Sequence, residues 1–342
     1  MTSMGDLIHT FPAVHDAISR FPSAQIDWVV ETPFDEVVRW HPAIRNIIVS
    51  NRPQWRKNRF ALHTLRDVKR FYSQVRNEHY DAVIDAQGRV KSAKAVFWAR
   101  GRKFGLHSNI ATDTSATLAY DETIRVEMYP HVINRIRQLF AKSLGYEFDP
   151  TVIDYGLSGA TWPDPGTSKP YLMFLHGTTW ETKHWLDTYW VELARIAADN
   201  GYRILLPWAT KAEHDRARHI AGNIPQAQVL ERMNLTQLSA YLAHAAGVVG
   251  VDTGLAHIAA ALGRPTLALY GGSISTYTGV LGHCAASLQA QFECSPCGLR
   301  YCNKAKPSAE NFPPCFATLT PQQVWQELTS LMQKDSADHA TG

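Results

Sequence analysis

The chain has 342 residues, of which 45% are hydrophobic and 19% charged, and its formal net charge is +3. That length fits two domains with real cores, and no apolar run reaches the ~18 residues that cross a bilayer. Residues 1–6 have neither the basic nor the apolar region of a signal peptide, so the expected address is cytoplasmic.

The small net charge conceals an asymmetry. Residues 52–103 contain 14 Lys and Arg against 4 Asp and Glu. Such a surplus attracts nucleic acid, anionic lipid or a phosphorylated substrate, or it forms solvated helix faces. No recognised nucleic-acid module accompanies it, and nucleic acid is not an expected partner.

Met4-Gly5-Asp6 reads as a loop that follows a strand, with a helix over residues 7–19, yet only three residues precede it. Either the true start lies upstream or this sheet lacks its first strand, which would leave backbone groups unpaired. Residues 25–30, 46–49 and 82–84 read as short buried strands. Helical spacing covers 64–78 and 92–100, and a helix over 131–144 stops at Gly145. Alternating short strands and helices predict a parallel, doubly wound sheet over a first domain, residues 1–157. Residues 158–170, with three prolines and two glycines, are a linker.

A second domain over 171–320 repeats the rhythm. Strands are expected at 171–175, 203–206 and 228–230, and helices at 211–221 and 235–245, the latter capped by Asn234. Residues 247–265 then read strand, tight turn and helix, followed by a strand at 266–269. A late loop holds Cys294, Cys297, Cys302 and Cys315, too confined for a chain-wide disulfide framework. Reduced thiols, a local disulfide or zinc on a non-standard spacing remain open there. Thr320-Pro321-Gln322-Gln323 is a capping box that starts a last helix, within 321–342, running to about Gln333 and frayed beyond.

Chemistry concentrates where strands end. Asp252-Thr253-Gly254 lies between the strand at 248–251 and a helix at 255–262, with His257 one turn in. Helix amides suit a phosphate and Asp252 suits sugar hydroxyls. Asp252 or Thr253 acting as a simple cap, with His257 in the core, is the competing reading. After the strand at 171–175, Thr178, Thr179 and Lys183 are what a diphosphate needs. Glu213, beyond Leu206-Pro207-Trp208, can hold ribose hydroxyls, and Met233 can line an adenine slot or pack in the core. Polar groups at four successive strand ends of one domain are the pattern of a nucleotide site. In the first domain Asp6 is the candidate general base or a helix cap. Trp55-Arg56-Lys57 and residues 85–91 supply basic and hydrogen-bonding groups for an anionic acceptor. Neither a G-x-G-x-x-G nor a P-loop motif is present, which disfavours a nicotinamide dehydrogenase and a P-loop kinase.

Several of these stretches occur together in one family: Met4-Gly5-Asp6 with Ile8-His9-Thr10, the runs at 27–31, 55–57 and 81–88, FLHGTT…KHW at 174–185, LPW at 206–208 and VDTGLAHIAAAL at 251–262. In them the chain resembles the ADP-heptose:lipopolysaccharide heptosyltransferases, up to about Gly271. The resemblance implies an inverting glycosyltransferase with no cofactor and no metal. Its fold would be GT-B, two Rossmann-like doubly wound domains facing a cleft. It makes Asp6 the base that activates a Kdo hydroxyl of the inner core. Thr178, Thr179 and Lys183 would hold the ADP diphosphate, Glu213 and Met233 the adenosine, and Asp252 the heptose. Thr253, Gly254 and His257 would complete the donor pocket, with Arg56 and Lys57 facing the acceptor's anionic groups. ADP-heptose and Kdo-lipid A are the implied partners, met on the inner leaflet of the bacterial inner membrane by peripheral contact. Three features depart from the family pattern: the absent first strand, a loop at 105–115 without an expected acceptor-binding arginine, and the cysteine-rich stretch after Gly271. The last two leave the acceptor between Kdo2-lipid A and a phosphorylated single Kdo. A transferase acting further out on the core, or a non-catalytic ADP-sugar-binding remnant, are the alternatives.

Overall fold

The structure is a computed structural model describing residues 3–127, 129–167, 169–306 and 312–341. The chain forms two compact units, one up to Ala160 and one from Thr161.

The first described element of the first unit is helix α1 (Met4–Arg20). Ser3 is extended and its hydroxyl accepts the Asp6 N–H at 3.2 Å, so Met4-Gly5-Asp6 is the first helical turn and not a loop. Leu7, Ile8, Phe11 and Val14 bury the apolar stripe of α1. There follow β1 (Ile26–Glu31), α2 (Asp35–Val38), β2 (Ile44–Ser50), α3 (Arg52–Lys57), α4 (Leu62–Val75) and β3 (His79–Asp85). Then come α5 (Val90–Trp98), β4 (Arg100–Leu106), a 3-10 turn (Thr114–Ala119), β5 (Glu122–Ile124) and α6 (Val132–Leu144). Gly145 ends α6 in the left-handed region, as its position predicts.

All pairings in this unit are parallel, in one sheet of β1 and β2 and another ordered β3-β4-β5. Among the described residues no backbone ladder joins β1 to β3. Side chains link them instead: the Tyr80 hydroxyl donates to Asp27 at 2.8 Å, and Arg45 of β2 donates to the same carboxylate at 2.7 and 2.8 Å. β4 and β5 are strands that the sequence patterns miss. In β4 the apolar signal is thin, because Arg100 and Arg102 face solvent. Gly101 permits the pairing with β3, since a Cβ there would stand 2.0 Å from the Tyr80 carbonyl oxygen.

The second unit runs β6 (Tyr171–Leu175), a 3-10 turn (Glu181–Lys183), α7 (Asp187–Asp199), β7 (Arg203–Leu206), α8 (Lys211–Ala221), β8 (Ala227–Val229) and α9 (Leu235–Ala243). It continues through β9 (Gly247–Val251), α10 (Gly254–Ala261), β10 (Thr266–Tyr270), α11 (Ser275–Thr278), β11 (Ala285–Gln289), a 3-10 turn (Pro314–Thr318) and α12 (Pro321–Thr341). Its parallel six-stranded sheet has the order β11-β10-β9-β6-β7-β8. Every residue of β6, β9 and β10 is buried, which is why these strands read as continuous apolar runs. Chain direction reverses across the sheet between β6 and β9, and in such sheets ligands bind beyond the carboxyl ends at that switch point.

Asn234 caps α9 as its sequence predicts, in a reciprocal capping box with Gln237 at 2.8 and 3.1 Å. Helix α12 does not fray after Gln333 but continues to Thr341. Lys334 donates to the His283 carbonyl at 2.8 Å and Arg264 stands 3.7 Å from Asp335, tethering those turns to the unit.

Candidate active site

The switch point of the second unit gathers the residues read from its sequence. The loop after β6 carries Thr178, Thr179 and Lys183, and the turn after β9 carries Asp252, Thr253 and Gly254. The Lys183 ammonium lies 2.6 Å from Asp252 Oδ2, with side chains only 18% and 10% exposed. His257 Nε2 stands 3.9 Å from Asp252 Oδ1, and the Thr178 hydroxyl donates to the Asp252 carbonyl at 3.4 Å. Burial opposes ionisation of Asp252, but hydrogen bonding from His257 and the Lys183 charge outweigh it and hold the carboxyl far below the usual carboxylate range. Thr253 occupies the N-cap of α10, yet its hydroxyl makes no capping hydrogen bond. The first-turn amides therefore lack a side-chain cap, and the helix end retains its partial positive charge beside Lys183. Lys183 also lies 4.6 Å from the centroid of the Trp180 ring, which restricts where the ammonium can swing. Thr179 is exposed at the mouth of this loop.

Glu213 has a structural duty that the sequence reading overlooks. Thr210-x-x-Glu213 is a capping box. Glu213 Oε2 accepts from the Ala209 and Thr210 amides at 2.8 and 3.0 Å, and the Thr210 hydroxyl accepts the Glu213 N–H. Its other oxygen faces the loop after β6, where Gly177 makes room: a Cβ there would lie 2.7 Å from Oε1. Met233 is half-buried in the segment between β8 and α9. Nearby the Trp208 indole donates to the Leu230 carbonyl at 2.7 Å and fixes the ends of β7 and β8 together.

Arg216 is a residue that no motif announces. From α8 it donates to the His176 carbonyl at 3.4 Å, contacts His184 Nδ1, and pairs through Nε with Asp187 at 3.0 Å. One guanidinium thus grips both ends of the 176–184 loop. Burial, with the Arg216 charge second, pushes His176 and His184 down to about 4, so both are neutral near pH 7 and His184 Nδ1 accepts.

The cysteine-bearing loop braces the same region. The Cys302 amide donates to Glu181 Oε1 at 3.0 Å, the Gly272 amide donates to the Thr182 carbonyl at 3.1 Å, and the Thr182 hydroxyl donates to the Leu299 carbonyl. Cys294, Cys297, Cys302 and Cys315 are free thiols. Among the described residues no three His, Cys, Asp or Glu side chains are arranged to hold a metal ion.

In the first unit Asp6 sits half-buried in the opening turn of α1, and Gln87 Nε2 donates to its Oδ2 at 3.1 Å. Gln87 belongs to a rigid turn: buried Asp85 accepts from the Gln87 and Gly88 amides at 2.9 and 3.1 Å and from the Ser92 and Tyr120 hydroxyls at 2.8 Å. Burial lowers the Lys91 pKa from the ordinary lysine value; Arg89 and Arg52 add to that shift and Glu31 and Asp6 oppose it. Asp6 is therefore not consumed by helix capping. Arg56 and Lys57 are exposed in the last turn of α3, while Trp55 packs its ring on Phe71 at 5.5 Å.

Comparison with known proteins identifies the family. Residues 68–307 match glycosyltransferase family 9 (heptosyltransferase). The chain is 39% identical over 341 residues to lipopolysaccharide heptosyltransferase 1 of Pseudomonas aeruginosa, covering 97% of this chain and 96% of that protein. Among solved structures, E. coli heptosyltransferase WaaC with ADP superposes with a TM-score of 0.83 at 34% identity, covering 97% of this chain and all 100% of that one. The same enzyme with ADP-2-deoxy-2-fluoro heptose gives 0.80 at 34% identity, over 96% of this chain and 99% of the other. With its two Rossmann-like units in a GT-B-like fold, the chain belongs to glycosyltransferase family 9, the heptosyltransferases.

Proposed function

We propose that this chain transfers heptose from ADP-heptose to a Kdo hydroxyl of the lipid A-linked inner core, with inversion and without a metal. The observation that carries the reading is the switch-point cluster of Lys183, Asp252, His257 and the uncapped N-terminus of α10. It offers an ammonium and free amides for a diphosphate beside a buried, ionised carboxylate for sugar hydroxyls. The relatives named above, one of them solved with ADP, support the same donor.

In this reading Thr178, Thr179 and Lys183 bind the diphosphate, Glu213 Oε1 and Met233 the adenosine, and Asp252 the heptose, with Thr253, Gly254 and His257 completing the pocket. Asp6, oriented by Gln87, takes the proton of the attacking hydroxyl. The new C–O bond forms at the anomeric carbon as its bond to the ADP oxygen breaks, and Lys183 and the α10 amides stabilise the charge left on ADP. Arg56, Lys57 and Lys91 face the anionic groups of the acceptor. The acceptor places the reaction at the cytoplasmic side of the inner membrane by peripheral contact. No helix of the described residues is long and apolar enough to cross a membrane.

The test is transfer by the purified chain to Kdo2-lipid A, to phosphorylated Kdo-lipid A and to an already heptosylated core. Heptose should appear on one of the first two and not on the third. Asp6→Ala should lower kcat by ~10²–10⁴ with ADP affinity retained. Transfer only to the heptosylated core, or undiminished turnover by Asp6→Ala, overturns the reading.

A further inference from the structure

A groove in the first unit remains unused by this chemistry. It lies between α5 and the 3-10 turn Thr114–Ala119, has a volume of about 300 Å³, and is lined by Val90, Ala93, Lys94, Phe97, Trp98 and Leu118. Its apolar walls are open to solvent: Leu118 is 87% exposed, Phe97 63% and Trp98 45%. Large apolar side chains gathered around a concavity mark a binding surface more often than an ordinary solvated face. The walls are also held in place. The Val90 amide donates to Asp113 Oδ2 at 3.0 Å and the Asp113 amide to the Gly88 carbonyl at 3.0 Å, which ties the turn to the start of α5.

The position of the groove says what it fits. Helix α5 starts at the Asp85–Gln87 turn, where Gln87 holds Asp6 and Lys91 lies in the field of that carboxylate. From Val90 to Trp98 the helix rises ~12 Å at ~1.5 Å per residue, so the groove leads away from the Asp6 end. Cationic groups (Arg89, Lys91) stand at its head, Lys94 lines it, and apolar groups (Phe97, Trp98, Leu118) finish it. That polarity is complementary to an anionic amphiphile with its headgroup at Asp6.

We propose that this groove binds a fatty-acyl chain of the acceptor lipid itself while the acceptor sugar stands at Asp6, an inference that rests on the lipid-linked acceptor read above. Its experiment compares wild type with Phe97→Gln, Leu118→Gln and the double substitution, all at exposed positions and all neutral. Each is assayed in detergent micelles with the fully acylated acceptor and with the same glycan stripped of its acyl chains. The KM for the acylated acceptor should rise about tenfold or more, as loss of a few buried methylenes implies. The KM values for the deacylated acceptor and for ADP-heptose should not move. Equal changes for both acceptors, or none for either, overturn the proposal. So does an unchanged KM accompanied by lost binding to acceptor-free vesicles of anionic phospholipid, which would make the groove a contact with bulk lipid. An unchanged KM with a concentration-dependent dimer abolished by Leu118→Gln would assign the face to a second copy, and likewise overturns it. If neither acceptor is heptosylated, the proposed reaction fails. The groove is then judged by equilibrium binding without donor, where the substitutions should weaken only the acylated acceptor.

Discussion

Lys183 and Asp252 meet at 2.6 Å where little water reaches them. Removing one charge from such a pair strands the other, which typically costs about 3–5 kcal/mol, whereas removing both is far milder. Lys183→Met should therefore lower unfolding stability strongly and weaken ADP binding. Adding Asp252→Asn should recover most of the stability and none of the ADP affinity. Parallel urea denaturation and ADP titration check this; recovery of ADP binding in the double variant would show that Lys183 does not touch the diphosphate. The residue types at this site are legible as a set, since Thr178, Lys183 and Asp252 all follow apolar strands. Their mutual pairing is not legible, because it depends on β6 and β9 becoming neighbours across 71 residues of intervening chain.

Helix α8 and the loop after β6 show how one element positions another. Arg216 reaches from α8 to both ends of the loop that carries Thr178 and Lys183. Arg216→Met should raise the KM for ADP-heptose about tenfold, the loss expected when a charge-assisted contact worth about 1.5 kcal/mol goes. The kcat and the acceptor KM should change little, and Arg216→Lys should restore only part of the donor KM because it lacks the forked geometry. A fall in kcat with an unchanged donor KM would contradict a positioning role. Of these features the Thr210-x-x-Glu213 box is present in the sequence as a standard signature. Arg216 has no local signature, and its partners are 32 and 40 residues away. Strand β4 was hidden for a related reason: two arginines and two glycines mask a strand whose stability comes from pairing with β3.

At the scale of the whole molecule, buried neutral histidines make stability depend on pH. His176 and His184 sit near 4 in the folded chain against an ordinary value of 6.5. Between those values the unfolded chain binds more protons, so stability falls as pH drops from about 6.5 towards 4 and the loss levels off below. For fully buried His176 the full span corresponds to roughly 3 kcal/mol; partly buried His184 adds less. Denaturation from pH 7 to pH 4.5 should show this slope, and His176→Gln should reduce it, leaving the parts due to His184 and to buried His41, which is also pushed down to about 4. An equally steep profile in that variant would place the titration elsewhere.

The sequence by itself determined the doubly wound character of the second unit, because buried parallel strands must be continuously apolar and their polar residues can stand only at strand ends. It also marked the candidate donor residues, the Asn234 cap and the family. Only the tertiary structure decided that Lys183 pairs with Asp252, that Arg216 anchors the loop after β6, and that the cysteine loop braces Glu181 and Thr182 beside Lys183. Local signals come from neighbours within a turn or a strand, whereas these three roles arise from residues that only packing brings together.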